Sequence, residues 1–256
     1  MKNIFRLLGI GLLSTAGSVS AQTHPGLLRE VSFLPGETMD YAVSYGVVPA
    51  GTMKLEVQDL ETFMGRPAYH FAFSAESNRA VSFLYQLEQT EEAWFDAQEL
   101  YSLKYERRST ENDKTRTQEY RFDQERLLRI EADGNTKPAS PRAVDQLSMI
   151  YYLRLLPYQP GARFTLRNQA DPEDNPIAIQ VLKIERVKVP AGTFETYVLK
   201  LDLTTDSGVF KKGGENRVWV TVDGRHIPVK LSSKIGLGNF QAELVEYSAG
   251  SPVARR

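Results

Sequence analysis

TMDYAVSYGVVPAGTMKLEV, residues 38–57, places apolar side chains at every second position on both sides of a Pro-Ala-Gly sequence. The alternation runs from Met39 to Val47 and resumes from Met53 to Val57. A period of two is typical of a β-strand with one buried face. Pro49-Ala50-Gly51 has the composition of a turn. We therefore predict a β-hairpin with a short loop at 49–51.

The rest of the chain repeats this pattern. Asp223-Gly224 predicts a tight hairpin turn, and a short helix is expected at 78–85 with Asn78 as its N-cap. A second helix is predicted at 144–156, where apolar residues have helical spacing and Asp145 lies near the start. Further strands are predicted at 68–75, 87–96, 127–131, 162–168, 177–188, 194–204, 215–222, 226–234 and 238–247.

This order of elements defines the expected fold class. We predict a mainly β protein, an antiparallel β-roll or incomplete barrel, with one short helix near 144–156. Residues 35–250 are expected to form a single all-β domain. The proline-rich stretch 137–143 is a possible seam within it.

One short sequence occurs twice. Val48-Pro-Ala-Gly-Thr-Met53 is echoed by Val189-Pro-Ala-Gly-Thr-Phe194. Two interpretations stay open. The repeat is either independent use of the same turn chemistry, or a mark of two half-sheets that each begin with a similar hairpin.

The N-terminus predicts export. Residues 1–21 combine Lys2 and Arg6 with a short apolar run and a small-residue ending, as in a signal peptide cleaved after Ala21. We expect 22–34 to be a loose leader and the mature protein to be periplasmic, without a transmembrane segment. Because Gln22 follows the cleavage site and the chain has no cysteine, we expect no lipid anchor. The net charge of −1 gives no reason to expect a nucleic-acid partner.

Several of these segments, in this order along the chain, resemble an exported bacterial family, domain-of-unknown-function family 3108. The resemblance implies an exported, mostly antiparallel β protein with no established activity. The matching pieces are Pro35-Gly36-Glu37 with Tyr41 and Tyr45, Pro49-Ala50-Gly51, the helix sequence 145–154, Pro190-Ala191-Gly192-Thr193-Phe194, Val218-Trp219-Val220 and Arg225-His226-Ile227-Pro228-Val229.

Catalytic chemistry has no clear signature in the sequence. Three histidines and no cysteine give no metal-ligand spacing, and Ser148 lacks the Gly-x-Ser-x-Gly context of a nucleophile. We assign no catalytic residue, metal or cofactor. An envelope polysaccharide hydrolase stays as an alternative function, because acidic residues such as Glu91 and Glu92 could act in pairs.

Aromatic residues on the expected inner face of the sheet predict a ligand site. Tyr41, Tyr45, Phe73 and Trp94 are placed there by their alternation, and a curved sheet with one helix can leave an apolar groove. We predict that these four residues bind a lipid, glycolipid or other envelope component, which makes the protein a non-enzymatic binding module. The alternative is that the same residues fill a core.

A charged hairpin predicts a different use. Residues 104–121 contain ten charged side chains in eighteen, with Tyr105 and Tyr120 as the only large apolar ones. We expect the hairpin to stay outside the core. It either prevents edge-to-edge pairing of the sheet or provides the contact surface for an envelope protein, as in an assembly factor.

Overall fold

The computed structural model describes residues 33–83, 86–204, 210, 212–235 and 238–251. The predicted signal peptide at 1–21 lies outside the described residues. Fourteen strands form one antiparallel sheet that does not close on itself, which confirms the predicted fold class. The strands are β1 Glu37–Tyr45, β2 Val48–Phe63, β3 Arg66–Ser77, β4 Leu87–Asp96, β5 Ser102–Glu111, β6 Lys114–Asp123, β7 Leu128–Glu131, β8 Thr136–Pro138, β9 Arg163–Leu166, β10 Ile177–Val189, β11 Gly192–Asp202, β12 Glu215–Thr221, β13 Pro228–Ile235 and β14 Gly238–Ala249.

Each half of the sheet is a meander in which consecutive strands are neighbours. The order is β8-β7-β6-β5-β4-β3-β2-β1-β14-β13-β12-β11-β10-β9, so that pairing of β1 with β14 joins the halves. The edges β8 and β9 are short, which limits edge-to-edge pairing. Segments outside the strands connect the two edges of the sheet, one after β8 and one after β9. The Val144 amide donates to the Asn168 carbonyl at 2.7 Å, and the Ala170 amide donates to the Val144 carbonyl at 2.9 Å.

Both predicted helices form, and both are shorter than predicted. The first, α1, spans Arg79–Ser82, and the Asn78 side chain caps it by accepting from the Val81 amide. The second, α2, spans Gln146–Leu153 inside the predicted range 144–156. The Asp145 carboxylate caps α2 by accepting from the amides of the second and third helical residues.

The sheet curves around α2 and the segment that follows it. The Tyr151 ring of α2 stacks on Phe71 of β3 at 3.8 Å. A few residues later Tyr158 packs edge-on against Phe164 of β9 and lies 6.0 Å from Tyr197 of β11. One short stretch of chain thus contacts the same face of the sheet in both halves. The face that receives it is the inner face of a hollow, and one hydrophobic core lies there.

The first hairpin turn is not where we predicted it. The turn lies at Gly46-Val47, and Pro49-Ala50-Gly51 belongs to β2, where the pairing with β1 changes register. Gly46 supplies the left-handed conformation with φ +60°. Gly51 is needed for a different reason, since a Cβ there would lie 2.0 Å from the Glu76 carbonyl oxygen of β3.

The second copy of the repeated sequence behaves differently. Val189 pairs with Gly192, so Pro190-Ala191 forms the β10–β11 turn itself. The idea that two half-sheets begin with similar hairpins is therefore wrong, and the repeat reflects local use of proline and glycine.

The predicted leader, 22–34, reaches the described residues only at its end. Phe33 is buried in the core and packs edge-on against Tyr69, Phe71 and Tyr151. This residue is therefore part of the folded domain.

Candidate functional site

The inner face of the hollow changes from buried to open along the strands. Residues directly opposite each other on neighbouring strands share a face, so they form rows across the sheet. The first row is fully buried and consists of Val57, Phe71, Ala93 and Tyr105. The next two rows are only partly covered and include Phe73, Glu91 and Arg107, then Ala75, Gln89 and Ser109. We call the side beyond these rows, which carries the β1–β2 turn, the open end, and the opposite side the closed end.

The closed end is sealed by a buried ion pair. Arg154, just after α2, places Nη1 2.7 Å from the Glu37 carboxylate of β1, and both side chains are almost fully buried. The contact is an ion pair rather than a well-aligned hydrogen bond. The guanidinium also lies over the rings of Phe33 and Tyr151, and its Nε donates to the Arg225 carbonyl at 3.1 Å. These contacts fix the end of α2 against both halves of the sheet.

Towards the open end, one wall of the hollow is polar. Glu91 is buried, accepts hydrogen bonds from Tyr105 and Gln89, and lies 4.0 Å from the Arg107 guanidinium. Burial raises the pKa of the Glu91 carboxyl above its ordinary value, against the lowering effect of Arg107. Gln146 of α2 donates to the Tyr105 hydroxyl, which ties this wall to the helix.

The adjoining wall of the hollow is apolar. Phe73 is directly opposite Glu91 on the neighbouring strand, and Ala75 is directly opposite Gln89. Phe73, Ala75 and Val43 are partly buried hydrophobic residues that pack against the core and keep some exposed surface. The open end therefore combines an apolar surface with a buried carboxylate and a partly exposed guanidinium, an arrangement that suits an amphipathic ligand.

The structure does not bring the four predicted site residues together. Tyr41 is buried, and its hydroxyl donates to the Pro228 carbonyl at 2.6 Å, so it is a core residue. Tyr45 is 60% exposed at the rim of the open end. Only Phe73 lies on the partly open inner surface.

Trp94 was predicted on the inner face and lies on the outer face. On β4 the inward positions are Glu91, Ala93 and Phe95, each buried, while Trp94 is paired with His70. The prediction assigned Trp94 to the inward phase of the alternation. The face of Trp94 is better indicated by its neighbours, because Glu92 and Asp96 at i−2 and i+2 lie on the same face of the strand.

The surroundings of Trp94 are structural. Its ring stacks on His70 at 4.5 Å and on Phe63 at 5.1 Å, and its Nε1 donates to Glu61 at 2.7 Å. Lys104, directly opposite on β5, lies over the ring. In the other half of the sheet Trp219 repeats this arrangement, with a carboxylate acceptor in Glu185 at 2.6 Å and Lys230 over its ring. Both tryptophans tie together strands of the outer face.

The charged hairpin is part of the sheet. β5 and β6 form it, and Tyr105 and Tyr120 are buried on its inner side. The expectation that it stays outside the core is therefore wrong, because a strand with charges on its outward phase can still bury the few apolar residues on its inward phase. Sequence reasoning named Glu91 only as a candidate acid and missed its inward position beside Arg107, since polar residues on an inward phase break the alternation used to find inner residues.

The outer face of this region carries an unusual charge pattern. Glu92, Glu106 and Glu119 are directly opposite one another on β4, β5 and β6, which places like charges side by side. Lys104 offsets part of this repulsion by pairing with Glu106 and with Glu119. Two adjoining open depressions lie beside this row, one of about 290 Å³ across β2, β3 and β4 and one of about 200 Å³ across β4, β5 and β6.

Two further observations concern the described part of the chain. Within it, no group of three or more histidine, aspartate or glutamate side chains is arranged to hold a metal ion. None of its helices is long and apolar enough to cross a membrane.

The fold defines a class: an incompletely closed, antiparallel β-barrel-like sheet with a helix packed on its inner face and an inner surface that is less buried towards the other end. The chain belongs to the family of proteins of unknown function DUF3108, whose model matches residues 40–245. This confirms the resemblance found in the sequence.

One solved structure has a similar β-barrel-like architecture. A β-barrel-like protein of the domain-of-unknown-function family DUF1849 from Brucella abortus is similar with a TM-score of 0.56 and 11% identity, over 88% of this chain and 100% of that chain. At this identity the likeness concerns the fold alone. A hypothetical protein from Chlamydia trachomatis also matches, with a TM-score of 0.38 and 9% identity, over 87% of this chain and 93% of that chain. Among curated proteins, no sequence matches this chain.

Proposed function

We propose that this protein is an exported, non-enzymatic carrier that holds a lipid, a glycolipid or another amphipathic envelope component at the open end of its hollow. The observation that carries the proposal is the mixed wall, where partly exposed Phe73 and Ala75 lie directly beside Glu91 and Gln89. An acyl chain would cover the apolar side chains. The polar group of the same ligand would contact Arg107 and Gln89.

Burial energetics support this assignment. Covering apolar surface contributes about 25 cal/mol per Å², so a few partly exposed side chains at the mouth can contribute several kcal/mol when an acyl chain covers them. Arg107 keeps 31% of its side chain exposed beside the buried carboxylate, which leaves donors available to an anionic or hydroxyl-bearing group.

Export is supported by the sequence. Residues 1–21 have the features of a signal peptide, and no cysteine follows Ala21. We propose that the mature protein works in the periplasm without a lipid anchor.

The test blocks the mouth and compares the two faces of one strand. In Ala75→Trp the indole occupies the inner face, whereas in Ser74→Trp the same bulk projects from the outer face of β3. Binding of a short-chain phospholipid below its critical micelle concentration is measured by calorimetry. We expect Ala75→Trp to weaken binding at least tenfold and Ser74→Trp to leave it unchanged.

Two results would contradict the carrier function. One is a wild-type protein that binds no lipid monomer and releases none in native mass spectrometry. The other is equal binding by the two tryptophan variants, because that would place the ligand outside the hollow.

A second candidate function, a protein contact through the charged hairpin, is favoured by the row of Glu92, Glu106 and Glu119 on the outer face. Deleting the hairpin is not a clean test, because Tyr105 and Tyr120 are part of the core. The replacement of all three carboxylates by glutamine leaves the inner face intact. If the hairpin binds a partner, this variant should capture much less of one envelope protein in a pull-down than the wild type does. The hydrolase alternative stays a prediction.

A further inference from the structure

The rim of the open end exposes large apolar side chains on projecting turns. Val47, in the β1–β2 turn, is 96% exposed, and Phe83, after α1, is 77% exposed. Tyr45 and Val48 beside the turn are also exposed. Exposed apolar side chains that are grouped together, rather than scattered singly, mark sites of contact with another molecule or with a membrane.

Hydrogen bonds hold these turns together as one surface. The Asn78 amide donates to the Ala50 carbonyl at 2.9 Å, and its side chain donates to the Pro49 carbonyl at 2.8 Å, which fixes α1 against β2. On the other side, the Gly46 amide donates to the Asn239 carbonyl at 2.7 Å and links the β1–β2 turn to β14. The exposed residues therefore share one rigid base beside the mouth.

The charge of this region differs from that of the whole chain. Charged residues make up 25% of the sequence. The described residues of the three segments that build the rim, 41–53, 77–83 with 86, and 231–235 with 238–242, contain only two charged residues, Arg79 and Lys234, and both are basic. Both side chains are exposed, and neither forms an ion pair with another residue in the described part of the chain.

We propose that the rim formed by Tyr45, Val47, Val48 and Phe83 docks onto an anionic lipid bilayer, with Arg79 and Lys234 facing the headgroups. Apolar side chains on a turn can enter the boundary between headgroups and acyl chains, and nearby basic residues add attraction to an anionic surface. Charge complementarity favours this occupant, because the three rim segments contain no acidic residue.

The neighbouring β5–β6 turn limits the docking surface. The Asn112 amide donates to the Gln86 carbonyl, which places Glu111 and Asp113 beside the rim. An anionic membrane repels these carboxylates. Contact is therefore centred on the β1–β2 turn and α1, with the β5–β6 turn held away from the surface.

This inference rests on the proposed function and extends it. A bilayer docked at the rim faces the mouth of the hollow directly. A lipid can then pass between the bilayer and the surface around Phe73 and Ala75 without exposing its acyl chain to water, which removes the main barrier to extraction.

The experiment is flotation of the full mature chain with vesicles of phosphatidylethanolamine and phosphatidylglycerol, and with vesicles of phosphatidylcholine alone. The main variant is Val47→Asp with Phe83→Asp, and Val47→Ser with Phe83→Ser removes apolar surface without adding charge. The matched control is Met64→Asp, which changes a 64% exposed apolar residue in the β2–β3 turn at the closed end.

We expect the double aspartate variant to lose at least tenfold in the fraction bound to anionic vesicles, the double serine variant to lose several-fold, and Met64→Asp to match the wild type. Arg79→Glu with Lys234→Glu should abolish the preference for anionic over neutral vesicles. Equal loss in Met64→Asp, or no loss in either double variant, overturns the proposal.

Monomer binding separates the two proposals. If the wild type binds the short-chain phospholipid but no vesicle, the rim proposal fails and the carrier function stands. If it binds vesicles through the rim but no lipid monomer, the carrier function fails while the docking surface stands. If vesicle binding needs added envelope protein, the rim is a protein contact and the bilayer proposal is overturned.

Discussion

The two ends of the hollow are built from the same strands and differ in how their charged side chains are paired. At the closed end, Glu37 and Arg154 form a buried ion pair and Asp145 is fully hydrogen-bonded. At the open end, Glu91 and Arg107 are only loosely paired, and apolar side chains such as Val47 reach water. The difference indicates that stability is concentrated at one end. The other end keeps part of its apolar surface accessible.

The largest effect is expected at the ion pair of the closed end. Arg154→Met should destabilise the fold by about 3 to 5 kcal/mol, because it leaves the buried Glu37 carboxylate without its partner. Unfolding in urea measures the loss. Adding Glu37→Gln to the variant should recover part of it, whereas Arg79→Met at the open end should change stability by less than about 0.5 kcal/mol. A loss below about 1 kcal/mol for Arg154→Met would remove the distinction between the ends.

A second comparison uses the two helix caps, one at each end. Asp145 accepts from the amides of Leu147 and Ser148 and from the Ser148 hydroxyl at 2.8 Å, all buried. Asp145→Ala should therefore cost about 2 to 3 kcal/mol. Asn78 caps α1 at the partly exposed open end, so Asn78→Ala should cost about 1 kcal/mol or less. Thermal unfolding of both variants checks the ranking. Equal losses would contradict it.

The sequence predicted the architecture well because strand periodicity and caps are local. The alternation in β1, the full extent of β4 and the capping roles of Asn78 and Asp145 all follow from neighbouring residues. The turn at Gly46-Val47 was missed because the contact that decides it is not local. Gly46 and Gly51 are close in the sequence, and either could form a turn. Gly51 is excluded from the turn only by its close contact with β3.

The candidate site was harder to predict because it depends on register between strands. Phe73 and Trp94 are both large aromatic residues of predicted strands, yet the pairing of β4 with β3 places them on opposite faces. Glu91 enters the site only because the wall of the hollow tolerates a carboxylate supported by Tyr105 and Gln89. No single-strand pattern contains that information, since its cause lies in the neighbouring strand.

A smaller effect, which depends on pH, is expected at the polar wall. Because burial raises the pKa of Glu91 in the folded state, the folded protein binds this proton more tightly than the unfolded chain does. The favourable contribution is present below the ordinary pKa of 4.5 and is lost as pH rises through the raised value. Glu91→Gln should thus be more stable than the wild type at pH 7, and the gap should close by pH 4. Urea unfolding of both proteins at pH 7 and at pH 4 measures this difference in stability. A gap that grows on acidification would contradict the assigned cause.

The smallest effect on stability is expected at the rim. Val47→Ser should change the free energy of unfolding by less than about 0.5 kcal/mol, because a side chain that is 96% exposed loses almost no surface on folding. Leu55→Ala, on the inner face of the adjoining strand and almost fully buried, should cost about 2 to 5 kcal/mol. Urea unfolding compares the two. If Val47→Ser instead destabilises the protein as Leu55→Ala does, the rim is part of the core and the contrast between the ends disappears.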